Sequence, residues 1–118
     1  MPISNKKNEF AFYVVDLMQS IGPVSAKRMF GGYGIFLDGL MFGLVSDGVL
    51  YLKADKAIEQ EFISRGLDAF KYIRAGKEIK LSYCQAPEEA MEDSDEMNLW
   101  ANKAYGAALR SSSNKRKK

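Results

Sequence analysis

Residues 33–54 read YGIFLDGLMFGLVSDGVLYLKA, and this stretch decides the fold. Tyr33, Ile35 and Leu37 alternate with Gly34, Phe36 and Asp38, the period of two expected of a strand with one buried face. Asp38-Gly39 leads into Leu40–Ser46, and Asp47-Gly48 leads into 49–54. Asp-Gly between two apolar runs suits the two-residue hairpin turn in which both central residues take positive φ. The stretch predicts an antiparallel meander.

Helical patterns flank it. Phe10, Val14, Leu17, Met18 and Ile21 share one helical stripe, which predicts a helix over 8–21, stopped at Gly22-Pro23. Downstream, Asp55 as N-cap, an Ile58, Phe62 and Ile63 stripe and Gly66 as stop predict a short helix over 55–65. Residues 70–75 and 78–84 predict a second hairpin across Gly76-Lys77. Met97, Trp100, Ala101, Ala104 and Ala108 fall on one face of a last helix over 94–110. Acids at its start, and Lys103 and Arg110 further on, suit its dipole. The order is helix, antiparallel β-meander, helix, β-hairpin, C-terminal helix. That is an α+β fold in a single compact domain over 1–110, followed by a disordered basic tail over 111–118.

Composition bounds the chemistry. At 118 residues, 47% apolar and 27% charged, the chain can bury an ordinary core without covalent staples. One cysteine and no histidine rule out a disulfide framework, the usual zinc patterns and any Ser-His-Asp or Cys-His machinery within the chain. No apolar run approaches the ~20 residues of a membrane helix, and residues 1–9 are polar rather than signal-like. With the lone thiol, this favours a cytoplasmic protein. Charge is segregated: 110–118 carry five cations and no acid, whereas 1–109 carry 12 basic and 15 acidic groups. Six of the acids fall within 88–96.

Few residues offer reactivity. Asp38 and Asp47 belong to turns, where Asp is favoured for backbone reasons. The acids of 88–96 lack the spacing of a calcium loop and suit the start of a helix. Cys84 has no histidine to lower its pKa. The most unusual string is Arg28-Met29-Phe30-Gly31-Gly32-Tyr33-Gly34, with three glycines in four residues. No Gly-Lys-Ser/Thr follows it and the next segment reads as strand, so it is not a phosphate loop. Gly32-x-Gly34 is not completed at Leu37, so it is not a dinucleotide fingerprint. It reads as a bulge or kink between strands, with Phe30 and Tyr33 in the core or at an edge.

That string, continued by Ile35-Phe36, then by Met41-Phe42-Gly43-Leu44-Val45 and Leu50-Tyr51-Leu52-Lys53-Ala54-Asp55, resembles the N-terminal domain of the TfoX/Sxy family. The likeness runs on through Tyr83 and Pro87-Glu88-Glu89 to Trp100-Ala101, covering about 8–108. It implies a compact α+β domain and a bacterial regulatory role in DNA uptake and natural transformation. The implied action is transcriptional co-activation without catalysis, with the cyclic-AMP receptor protein or RNA polymerase as partner. It brings no catalytic residue, metal or cofactor.

Candidate contact residues come from side-chain chemistry. Arg28 is a forked donor for a carboxylate or phosphate. Phe30 and Tyr33, if exposed beside Gly31 and Gly32, would be interface anchors. Lys53, in an otherwise apolar strand, would mark a sheet edge. Arg110, Lys115, Arg116, Lys117 and Lys118 would give weak, salt-dependent nucleic-acid contact. Two rivals stand beside the regulatory reading: nucleic-acid binding through the tail, with Tyr33 or Tyr72 stacking, and a small-molecule-binding module or enzyme subunit. An open sheet edge would also allow a homodimer.

Overall fold

The protein is described by a computed structural model covering residues 6–29 and 31–116, with side chains over 9–29 and 31–113. It contains α1 (Lys6–Leu17), β1 (Ser25–Met29), β2 (Gly32–Leu37), β3 (Leu40–Ser46), β4 (Val49–Lys53), α2 (Glu59–Ile63), β5 (Ala69–Arg74), β6 (Lys77–Gln85) and α3 (Ser94–Arg116). The six described strands form one antiparallel sheet in the order β1-β2-β3-β4-β6-β5. After β4 the chain crosses through α2 to the far edge and returns as β6, between β4 and β5.

The turns do what their residues favour. Asp38 and Gly39 lie at φ 53° and 76°, and Asp47 and Gly48 at 52° and 73°. This is the hairpin turn whose twist matches that of the strands it joins. The last hairpin turns at Ala75-Gly76 (φ 53° and 78°), one residue earlier than the expected Gly76-Lys77. Gly76 takes the second central position, and Ala75 accepts the left-handed strain at the first.

Helix limits differ from expectation at both ends of the chain. α1 stops at Leu17, and a tighter turn over Gln19–Ile21 carries the chain to Gly22 at φ 142°. α2 is shorter than 55–65 because Asp55 caps a preceding turn: its carbonyl accepts from the Ile58 and Glu59 amides, and Oδ1 from Ala57 N at 3.1 Å. Ile58 and Phe62 are buried as expected, but Ile63 is 53% exposed. Positions 58 and 62 share a face, and one further residue turns away by about 100°. α3 runs on to Arg116, so the segment expected as a disordered tail continues the helix to that residue. Neither Gly nor Pro stops it after Gly106. Lys117 and Lys118 lie outside the described residues.

The core lies between the helices and one face of the sheet. From α3 come Met97, Trp100, Ala101, Ala104 and Ala108, all buried. The sheet supplies Tyr33, Ile35, Leu37, Phe42, Val45, Leu50 and Leu52, while Val14 and Met18 close the end nearest α1. Trp100 meets Phe62 edge-on at 5.1 Å, and Phe42 meets Tyr105 at 5.6 Å. The run of alanines lets the α3 backbone approach the strands closely, so burial comes from backbone and sheet side chains together.

A polar clamp secures α3 beyond this core. Arg110 Nε donates to Asp55 Oδ2 at 2.6 Å and Nη2 donates to Oδ1 at 3.0 Å, a forked pair between α3 and the β4–α2 connection. The Arg110 guanidinium holds the Asp55 carboxyl below its ordinary pKa of 3.8. Its stabilisation is therefore complete above that value and fades as pH falls through the lower folded-state value. Asp55→Ala removes both clamp and turn cap, and is expected to cost about 1 kcal/mol at neutral pH. In thermal melts the gap between wild type and variant should narrow below about pH 4. A gap that stays constant or widens in acid would show that ionisation of Asp55 adds no stability.

Candidate functional site

The glycine-rich string forms the β1–β2 hairpin and the start of β2, and its glycines answer three separate demands. Gly31 sits at φ 76° with open space around it, so it serves the turn. Gly32 has no room: a Cβ there would lie 2.1 Å from the Val45 carbonyl oxygen on β3. At Gly34 a Cβ would come within 2.6 Å of Met29 Sδ, 2.8 Å of Phe36 Cε1 and 3.1 Å of Met41 Sδ. Gly34 is thus the floor on which two thioethers and a phenyl ring gather.

Those side chains belong to the sheet face opposite the helices. Cross-strand partners share a face, so pairings trace it: Lys27 with Gly34, Met29 with Gly32, Gly34 with Leu44, Phe36 with Met41, and Leu44 with Tyr51. It continues through Lys53 with Tyr83, Tyr72 with Ile79, and Arg74 with Lys77. Leu44 is only 6% exposed, yet it takes no part in the helix-side core. It is buried from the other side.

What buries it is curvature. Met29 on β1 and Phe70, Tyr72 and Arg74 on β5 come from opposite edges of the sheet, yet all line one groove. Its volume is about 500 Å³, and Leu44 and Met41 lie within its lining. Register irregularities at Ile35/Phe36 and Ala69/Lys71 lie in the flanking hairpins, where such features increase bend and twist. Tyr51 packs edge-on against Phe70 at 4.9 Å, and Phe70 lies 6.1 Å from Tyr72. Lys27 Nζ sits 5.0 Å above the Phe36 ring and Lys53 Nζ 5.2 Å above Tyr83. Burial pushes the Tyr83 hydroxyl up to about 12.

The residues singled out from sequence divide between this face and elsewhere. Gly32 lines the groove directly. Arg28 is exposed on β1, opposite Tyr33. Tyr33 is 7% exposed in the helix-side core and so presents no anchor at the surface. Phe30 lies outside the described residues. Lys53 does not mark an edge, because β4 is flanked by β3 and β6. Arg110 is engaged by Asp55, while the side chains of Lys115, Arg116, Lys117 and Lys118 lie outside the described residues. Cys84 is buried, and burial pushes its thiol pKa up. Among the described residues no three His, Cys, Asp or Glu side chains are grouped to hold a metal ion. No helix among them is long and apolar enough to cross a membrane.

Besides Gly32, Tyr72 is the groove residue that the sequence singles out as a contact, for base stacking; that Met29, Met41, Leu44, Phe70 and Leu81 share a face with it was missed. The available signal was the almost unbroken apolar run of β3, LMFGLVS, which is what a strand buried on both faces looks like.

Comparison with known proteins gives this arrangement a context. A family model described as the TfoX N-terminal domain matches residues 16–108. The DNA transformation protein TfoX1 of Aliivibrio fischeri (strain ATCC 700601 / ES114) is 29% identical over 73 residues, covering 62% of this chain and 35% of that protein. Protein Sxy of Escherichia coli (strain K12) is 24% identical over 98 residues, covering 83% of this chain and 47% of that protein. The aligned part of the chain spans less than half the length of either relative.

The two kinds of glycine demand separate on substitution. Gly32→Ala must push β2 and β3 apart and is expected to cost about 2–3 kcal/mol, as overpacked sites do. Gly31→Ala meets open space and should cost about 1 kcal/mol from its left-handed backbone alone. Urea unfolding of both variants checks the order, and equal losses would mean that the Gly32 contact relaxes freely.

Proposed function

This chain belongs to the TfoX N-terminal domain family, and from that premise we propose that it is a non-catalytic protein-interaction domain in transcriptional regulation of DNA-uptake genes. The family match across 16–108, which contains the whole Arg28-Met29-Phe30-Gly31-Gly32-Tyr33-Gly34 string, carries the reading. One relative's name ties it to DNA transformation. The proposed partner class is a transcription protein: the cyclic-AMP receptor protein or RNA polymerase, acting in the cytoplasm.

The geometry supports docking better than it supports chemistry. Asp38 and Asp47 serve separate turns, and the Cys84 thiol is buried. The groove in the concave sheet face instead offers a mainly apolar lining. A small-molecule reading draws support from the groove volume of about 500 Å³ and from Gly32 in its wall. Small-molecule sites bury most of their ligand and orient it with a few precisely placed polar groups. Here the polar side chains in the lining are Ser46, Tyr72 and Arg74, set in an otherwise apolar surface.

Full-length chain immobilised through its N-terminus and challenged with purified receptor protein, with and without cyclic AMP, and with RNA polymerase tests the proposal. Saturable binding to one of them at micromolar concentration is the expected result. Binding to neither would remove the transcriptional reading and leave only the domain's family.

A further inference from the structure

We propose that the concave sheet face takes an acidic amphipathic polypeptide segment from a partner protein, its apolar side chains in the groove between Met29 and Tyr72 and a carboxylate on Arg74. The proposal rests on the interaction reading above only in taking the occupant to be a protein. It does not depend on which transcription protein is bound.

Charge sets the sign of the partner. The strand positions on this face include Lys27, Lys53, Arg74 and Lys77 and contain no Asp or Glu. The chain is otherwise balanced or acidic up to residue 109, so this excess is local. Arg74 lines the groove itself, is exposed, and forms no salt bridge among the described residues. Arg65 and Arg110, by contrast, are each paired with a carboxylate. A guanidinium at the mouth of an apolar groove is the donor that a carboxylate beside apolar anchors would meet with two parallel hydrogen bonds.

The lining sets the kind of partner. Met29 and Met41 are flexible and polarisable, a surface that adapts to apolar side chains of varied shape. A volume of about 500 Å³ admits several such side chains. Single-stranded nucleic acid fits less well, because base stacking needs open ring faces. Phe36 and Tyr83 each carry a lysine over the ring, and Tyr51 is closed against Phe70. Of the two rings in the lining, Phe70 meets Tyr51 edge-on and lies 6.1 Å from Tyr72, and the other side chains of the groove are mostly thioether and aliphatic.

The test selects a displayed library of random peptides of about 12 residues against the full chain, a length suited to one strand or three helical turns. The tightest peptide is then followed by the methionine methyl resonances of the labelled protein. The expected outcome is a selected pool rich in Asp and Glu interleaved with Leu, Ile or Phe. On titration the methyls of Met29 and Met41 should shift, and those of Met18 and Met97, buried beneath the helices, should not. Arg74→Glu, an exposed change expected to leave the fold intact, should weaken that peptide by at least about tenfold. Four results would each overturn the proposal: no enriched binder, a pool without acidic excess, equal binding to R74E, or shifts confined to other methyls. An oligothymidylate titrated in parallel that moves Met29 and Met41 more strongly than any peptide would also overturn it, in favour of nucleic acid. Because the library contains no transcription protein, its failure is distinct from failure to bind the receptor protein or polymerase.

Discussion

Asp38-Gly39, Asp47-Gly48 and Ala75-Gly76 each hold two successive residues at positive φ, and sheet register depends on these turns. A two-residue turn of this type permits one pairing of the strands it joins. A slip of one residue would exchange the two faces of every strand. The consequences here would be large, because both faces are occupied. Tyr33, Ile35 and Leu37 belong under the helices, while Gly34 and Phe36 belong in the curved side. The turns therefore set two surfaces at once: the one that packs under the helices, and the concave one that holds the groove.

The glycines of β2 extend the same constraint. Gly32 lets β2 lie against the Val45 carbonyl, and Gly34 gives Met29, Phe36 and Met41 one place to converge. Both requirements are set by packing. A string that looks functional from its composition is, in the folded molecule, a packing device that shapes the groove wall. The region matched by the family model includes the whole groove lining.

Much of this was legible beforehand. The meander and the buried face of α3 followed from period and turn chemistry, because Asp-Gly pairs and a Met97-to-Ala108 stripe have few alternative readings. Helix ends were less legible. A tighter turn at Gln19–Ile21 and the Asp55-capped turn before α2 look like helix to a pattern of spacing, and nothing local stops α3 at 110. Lys53 misled because strand order is non-local: only the crossing through α2 places β6 beside β4 and makes that strand interior. The groove was illegible for a similar reason. Met29 and Tyr72 are brought to one cavity by sheet curvature, which no window along the chain contains.

The central claim is that one sheet presents two separately packed faces, with Gly34 at the base of the second. Nuclear Overhauser contacts from the methionine methyl groups test this most directly. The account predicts cross-peaks from both the Met29 and Met41 methyls to the Gly34 α-protons, and none from either to the Trp100 indole. A cross-peak from Met41 to Trp100, or the loss of both contacts to Gly34, would contradict it.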